Sequence, residues 1–323
     1  TRIKTNKKIW FLQWTKRIES HLKNNSYDKI IIGNYHAALS FLRMKKLPKT
    51  PYFFTLHGDD VDYLFERSKL REKLLLNDNN VNRFLDGVTK IICVSDYLKN
   101  QLTSKGFNEQ KIKVIHHGID LDFFKNIKEQ QDYSEIRNNR WKSKGIDPTK
   151  KILLCASRVV EGKGHDVLLK SFKKVVKENP DIILAIAGDG DKKSELVELG
   201  KQLNISVNLR FLGGLTRFEL RDLYQVADAF ILMSRRRGET FGLVFIEAMA
   251  CGTAVIAANN GAVAEIIDKD KNGLLVEALD EAQCSKVILE LMEEQLNTKI
   301  GKEGFITVNR KFNNLTMAAK TIE

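Results

Sequence analysis

Short apolar runs alternate with longer stretches of helical period through the second half of the chain. Lys151–Ala156 (KILLCA) is an apolar run closed by turn-forming residues, and it predicts a strand. Asp166–Lys177 carries Val167, Leu168, Phe172, Val175 and Val176 at helical spacing and predicts a helix. The alternation continues with strands over Asp181–Ala187, Asn208–Leu212, Asp228–Met233, Thr253–Ala258 and Gly273–Val276. Helices are predicted over Lys192–Leu203, Arg217–Val226 and Leu243–Ala250, and near Glu281–Glu294. Strands and helices in this rhythm build a parallel, doubly wound sheet, an α/β fold. Ligands of such sheets bind outside the carboxyl ends of the strands.

The first half is more broken. Lys29–Gly33, Tyr52–Leu56, Lys90–Val94 and Lys111–Ile115 read as strands, and Leu64–Phe84 and Asp96–Ser104 as helices. Gly145–Lys151 (GIDPTKK), with its proline and charges, is the predicted linker. It divides the chain into domains 1–147 and 148–323, and 323 residues suffice for two cores.

Composition narrows the class. Apolar residues make up 43%, ordinary for a globular protein, and no run of 18 or more apolar residues predicts a membrane helix. No signal peptide is visible. Cys93, Cys155, Cys251 and Cys284 lack metal-ligand spacing and read as reduced, buried thiols of a cytoplasmic protein. The net charge of +12 is one-sided: residues 1–150 hold 29 Lys and Arg against 17 Asp and Glu, and the rest balance at 24 each. A basic first half suits an anionic partner, such as the inner face of a membrane or a phosphorylated glycolipid. No basic stripe with interleaved aromatics points to nucleic acid.

The chemistry concentrates in Ser234–Gly252 (SRRRGETFGLVFIEAMACG), where Glu239 and Glu247 stand eight apart with Gly242 between them. A glycine where loop becomes helix frees backbone N–H groups for an anion, and the helix dipole favours negative charge there. With Glu239 on the loop and Glu247 inside the helix, one ligand is gripped at three places, which describes a sugar nucleotide. Arg158 and Lys163 follow a strand in a glycine-punctuated turn, so their side chains can project into a cleft, and a guanidinium with an ammonium is a usual pair for phosphate. His57 ends a strand and can donate to a sugar oxygen or take a proton. Asp-x-Asp occurs at Asp60/Asp62, Asp120/Asp122, Asp189/Asp191 and Asp268/Asp270. Such frequency deprives the pattern of meaning, and no metal site is predicted.

The stretch from Glu239 to Glu247 resembles the Glu-x7-Glu signature of retaining glycosyltransferase family 4, the glycogen-synthase-like enzymes. Ser157–Gly164 (SRVVEGKG), Ala187–Gly190 (AGDG), Asn260–Ile267 (NGAVAEII) and Lys271–Val276 (KNGLLV) are similar to further landmarks of that family, in order. Thr55–Gly58 (TLHG), Ile91–Ser95 (IICVS) and Val114–Asp120 (VIHHGID) are similar to landmarks of its first domain. The resemblance implies two doubly wound Rossmann-like domains facing across a cleft, the GT-B type. It implies that Arg158, Lys163 and the backbone of Gly242 and Leu243 hold the donor diphosphate, and that Glu247 takes the ribose hydroxyls. Glu239 and Phe241 would meet the donor sugar, with Glu239 and His57 at the reacting centre.

The implied activity is transfer of a hexose or hexosamine, with retention and without metal or other cofactor, from a nucleotide sugar, UDP first. The acceptor would be a lipopolysaccharide, O-antigen, capsule or other lipid-linked glycan. Two departures stand out. The family often has Asn where His117 stands, so His117 reads as structural. Nothing before Trp10 resembles the family's opening glycine-rich loop, so the first domain is expected to lack its opening part, and the end to stop within a final helix. That leaves a non-catalytic nucleotide-sugar-binding remnant or partner subunit, or an epimerase on the same scaffold, as rival readings.

Overall fold

The computed structural model describes residues 10–58, 78–235 and 240–322. By their contacts the residues form two compact units, Thr1–His116 and His117–Glu323.

In the first unit β1 (Ile30–Ile32), β2 (Tyr52–Leu56), β3 (Lys90–Cys93) and β4 (Ile112–Val114) form a parallel sheet in the order β1-β2-β3-β4. Helices α1 (Trp10–Asn24), α2 (Tyr35–Leu42), α3 (Asp78–Gly87) and α4 (Asp96–Ser104) accompany it. The Tyr52 ring lies 6.3 Å from Phe41 and 5.6 Å from Phe84, and its hydroxyl donates to Phe84 O at 2.8 Å. A buried tyrosine thus fills the core and satisfies its polar end. Asn34 and Ser95 cap α2 and α4 by accepting from Ala37 N and Leu98 N. Of the helix predicted over Leu64–Phe84, only its end is seen, as α3; residues 64–77 lie outside the described residues.

The second unit opens with α5 (Tyr133–Lys142) and then alternates. β5 (Lys151–Ala156), α6 (His165–Glu178), β6 (Ile182–Ala187), α7 (Lys193–Gln202), β7 (Leu209–Gly213) and α8 (Arg217–Val226) make its first half. β8 (Ala229–Leu232), α9 (Leu243–Ala250), β9 (Ala254–Ala258), α10 (Val263–Ile266) and β10 (Leu274–Val276) follow, then α11 (Glu281–Leu291), α12 (Glu294–Lys311) and α13 (Asn314–Ile322). The six strands are parallel in the order β10-β9-β8-β5-β6-β7. Every residue of β6, β8 and β9 is buried. This is why those strands read as continuous apolar runs rather than alternating ones. Strand order reverses between β5 and β8, so the chain leaves these two neighbours in opposite directions. That reversal is the switch point at which doubly wound sheets bind ligands.

The sequence put the domain join at 147/148, whereas the compact units part at His116/His117. Residues 117–147 pack with the second unit. Ile119 N donates to Phe312 O at 2.9 Å and Asn314 N to Ile119 O at 3.0 Å. Trp141 is fully buried, and its indole N–H donates to Val226 O at 3.1 Å. Arg137 pairs with Asp228 at 2.8 Å and reaches Lys150 O at 3.0 Å. A proline-bearing turn at 145–150 therefore lies inside a unit. All four cysteines are free and buried, as expected. Among the described residues no helix is long and apolar enough to cross a membrane.

Candidate functional site

Three loops meet at the carboxyl ends of the second sheet. The loop after β5 carries Arg158 and Lys163 and ends at Gly164, which caps α6 with φ 71°. A Cβ on Gly164 would lie 1.8 Å from Met233 O, so only glycine lets this loop rest on the end of β8. Arg235 N, in the loop after β8, donates to Gly162 O at 2.9 Å. The Arg235 guanidinium grips both oxygens of Asp166, at 3.0 and 3.1 Å. Asn260, after β9, donates its amide to Ser234 O at 3.3 Å. The phosphate-type turn and the signature loop are thereby bonded to each other.

Arg158 is exposed and Lys163 half-buried. The Lys163 charge acts on the thiol of Cys155 and on His165, which places it toward the end of β5. His165 is buried with Nε2 3.1 Å from Ser157 Oγ. Burial pulls its pKa down to about 4, against a smaller upward pull from Asp166. The imidazole is therefore neutral near pH 7 and adds no charge to the loop.

In the signature stretch, Phe241 is buried, with its ring edge-on to His117 at 5.2 Å and to Phe312 at 5.8 Å. That contact suits the structural role expected of His117. Gly242 caps α9 with φ 96°, a left-handed conformation that turns the chain abruptly into the helix. Leu243, the first helical residue, is exposed. Helix α9 is apolar apart from Glu247, which stands about one turn inside it. Burial raises the Glu247 carboxyl to about pKa 7, with Arg217 and Tyr224 of α8 pulling the other way. Glu239 lies outside the described residues.

Arg158, Lys163, Phe241, Gly242, Leu243 and Glu247 thus stand on the elements that flank the switch point. His57 belongs to the first unit, where it directly follows β2 with Nε2 2.8 Å from Gly33 O. Sequence reading missed His165, Arg217, Tyr224 and the Asp166–Arg235 pair. Arg217 had a local signal, since it opens a helix capped reciprocally by Thr216 and Glu219. The others are defined by contacts between segments far apart in the chain.

The family described as Glycosyl transferases group 1 matches residues 136–305, more than half of the chain. The chain belongs to this family. Glycosyltransferase Family 4 matches residues 2–123, in the first unit. A relative in Corynebacterium glutamicum, a GDP-mannose-dependent monoacylated alpha-(1-6)-phosphatidylinositol monomannoside mannosyltransferase, is 31% identical over 208 residues, 63% of this chain and 52% of its own length. The alpha-monoglucosyldiacylglycerol synthase of Streptococcus pneumoniae is 29% identical over 276 residues, covering 80% and 60%. The chain therefore spans about half to three fifths of the length of these two relatives. An Anabaena protein solved in complex with UDP and glucose superposes with TM-score 0.78 at 20% identity, covering 100% of this chain and 84% of that one. The chain thus has two parallel α/β domains of the GT-B type.

Proposed function

We propose that this group 1 glycosyltransferase moves a hexose or hexosamine from a nucleotide sugar, UDP first, to a lipid-linked glycan or glycolipid, with retention and without a metal ion. The observation that carries the reading is the meeting of the Arg158–Lys163 turn and the Gly242–Glu247 helix at one switch point. The departing diphosphate gains negative charge in the transition state, and fixed donors aimed at it lower the barrier without reorganising. Arg158, Lys163 and the N–H groups of Gly242 and Leu243 would supply them, replacing a divalent cation. Glu247 would accept the ribose hydroxyls, while Glu239 and Phe241 meet the sugar. Glu239 and His57 would serve the reacting centre. UDP is favoured by the likeness to the protein solved with UDP and glucose, and GDP comes second because a relative is named GDP-mannose-dependent. The acceptor class rests on the basic first half and on two relatives named for phosphatidylinositol and diacylglycerol substrates. The same basic half would hold the enzyme to the anionic inner face of the cytoplasmic membrane.

Calorimetric titration of the chain with UDP, GDP, CDP and ADP, with and without EDTA, tests this. The expected result is UDP binding that EDTA leaves unchanged and that Glu247→Gln weakens by at least about tenfold, the loss of one charge-assisted hydrogen bond. Binding that disappears with EDTA would sink the metal-free reading.

A further inference from the structure

Tyr224 is fully buried; its hydroxyl makes no hydrogen bond of full geometry, and the acceptor within its reach is the Glu247 carboxyl. The residue is tightly held. Its ring stands 5.5 Å from Phe230 and 6.4 Å from Phe124, and its carbonyl accepts from Thr253 Oγ1 at 2.6 Å. A phenol oxygen lies on the ring axis, so a clamped ring fixes where the hydroxyl points. An imperfectly paired hydroxyl in the interior is costly and persists where it has a use. The charged group that acts on it most is the Glu247 carboxyl, across the contact between α8 and α9. Arg217 lies seven residues before Tyr224, two turns along the same face of α8, and also acts on Glu247.

We propose that Tyr224 is a positioning residue for donor binding: its hydroxyl donates to the Glu247 carboxylate before the donor arrives and holds it turned toward the ribose diol. This rests on the reading of Glu247 as the ribose ligand. One Glu247 oxygen would accept the phenol proton from inside, leaving the outward lone pairs for the two vicinal hydroxyls. The Tyr224 hydroxyl stays protonated throughout, because burial and the neighbouring carboxylate both raise its pKa. Donor affinity then depends on pH through Glu247, because the diol is bound by the ionised form. The groups facing that carboxyl are Arg217 and Tyr224 from α8 and Cys251 at the end of its own helix. β9 brings no ionisable side chain, and α12 meets Met249 of α9 through Gly304. Burial holds Cys251 protonated across the range of interest.

The test is calorimetric titration with UDP and with 2′,3′-dideoxy-UDP at pH 7, 8 and 9, on the whole chain, Tyr224→Phe and Glu247→Gln. Phenylalanine keeps the ring between Phe124 and Phe230, and a thermal melt confirms folding. Removing the hydroxyl lets the Glu247 pKa rise further. Tyr224→Phe is then expected to weaken UDP about fivefold at pH 7 and less than about twofold at pH 9. It should leave dideoxy-UDP binding nearly unchanged. Glu247→Gln should bind UDP weakly and without that pH dependence. Lys128 titrates near the same range but is present in all three proteins, so its effect cancels. An equal loss at every pH, or an equal loss for dideoxy-UDP, would make Tyr224 merely structural and overturn the proposal. If Glu247→Gln keeps both affinity and pH profile, the ribose reading fails and the proposal falls with it.

Discussion

Gly164 shows how one residue sets the site. Its positive φ and the 1.8 Å that would separate a Cβ from Met233 O act together. Left-handed backbone costs a non-glycine residue ~1–2 kcal/mol, and forcing atoms into a packed contact adds a similar amount. Gly164→Ala is expected to destabilise the second unit by roughly 2–4 kcal/mol, read as a lower urea midpoint, and to weaken UDP binding. An unchanged midpoint would mean the two loops need not touch. The sequence showed that Gly162 and Gly164 punctuate a turn; it did not show what the turn approaches, because Met233 lies 69 positions on. Glu247 was legible as the lone charge in an apolar helix. Its raised pKa was not, because that follows from burial against α8.

At the scale of elements, the buried strands and the signature helix were read almost to the residue. Arg217–Val226 and Leu243–Ala250 are helices with the predicted bounds. Parallel strands covered on both faces leave an unmistakable apolar run, and α9 is apolar apart from Glu247 because all but its first turn is largely buried. Helix α5 (YSEIRNNRWK) escaped notice because it is polar on most sides and held by Trp141, Arg137 and Arg140 rather than by an apolar stripe. The single helix predicted near Glu281–Glu294 joins α11 to the start of α12, because only two residues part them. The other end of α9 has its own device: Lys128 donates its ammonium to Gly252 O at 2.8 Å. Lysine at a helix carboxyl end is favoured by the dipole, but desolvation pulls its pKa down to about 8. A folded pKa below the unfolded one means that the penalty is full below pH 8 and fades as pH rises toward the unfolded lysine value. Wild type should therefore gain about 3 kcal/mol relative to Lys128→Met between pH 8 and about 10.5, read by urea unfolding at each pH. Parallel curves for the two proteins would show that Lys128 is solvated.

For the whole molecule, the placement of residues 117–147 matters most. They belong to the second unit, which makes two fragments behave differently. Residues 117–323 are expected to unfold cooperatively and to bind UDP as the full chain does. Residues 148–323 lose Trp141 and the Arg137–Asp228 pair, at a cost of at least about 3–5 kcal/mol for the buried indole alone. Equal urea midpoints for the two fragments would return the boundary to the proline-bearing turn. By itself the sequence determined the α/β class, the alternation of the second sheet, the family and the residues of its motifs. These follow from local periodicity and from ordered short segments, which survive in one dimension. The tertiary structure alone decided the unit boundary, the bonding of the phosphate turn to the signature loop, and the face that α8 turns to Glu247. Each depends on groups brought together across tens of residues, and burial, which moves a pKa or leaves a hydroxyl imperfectly paired, exists only once the chain has closed around them.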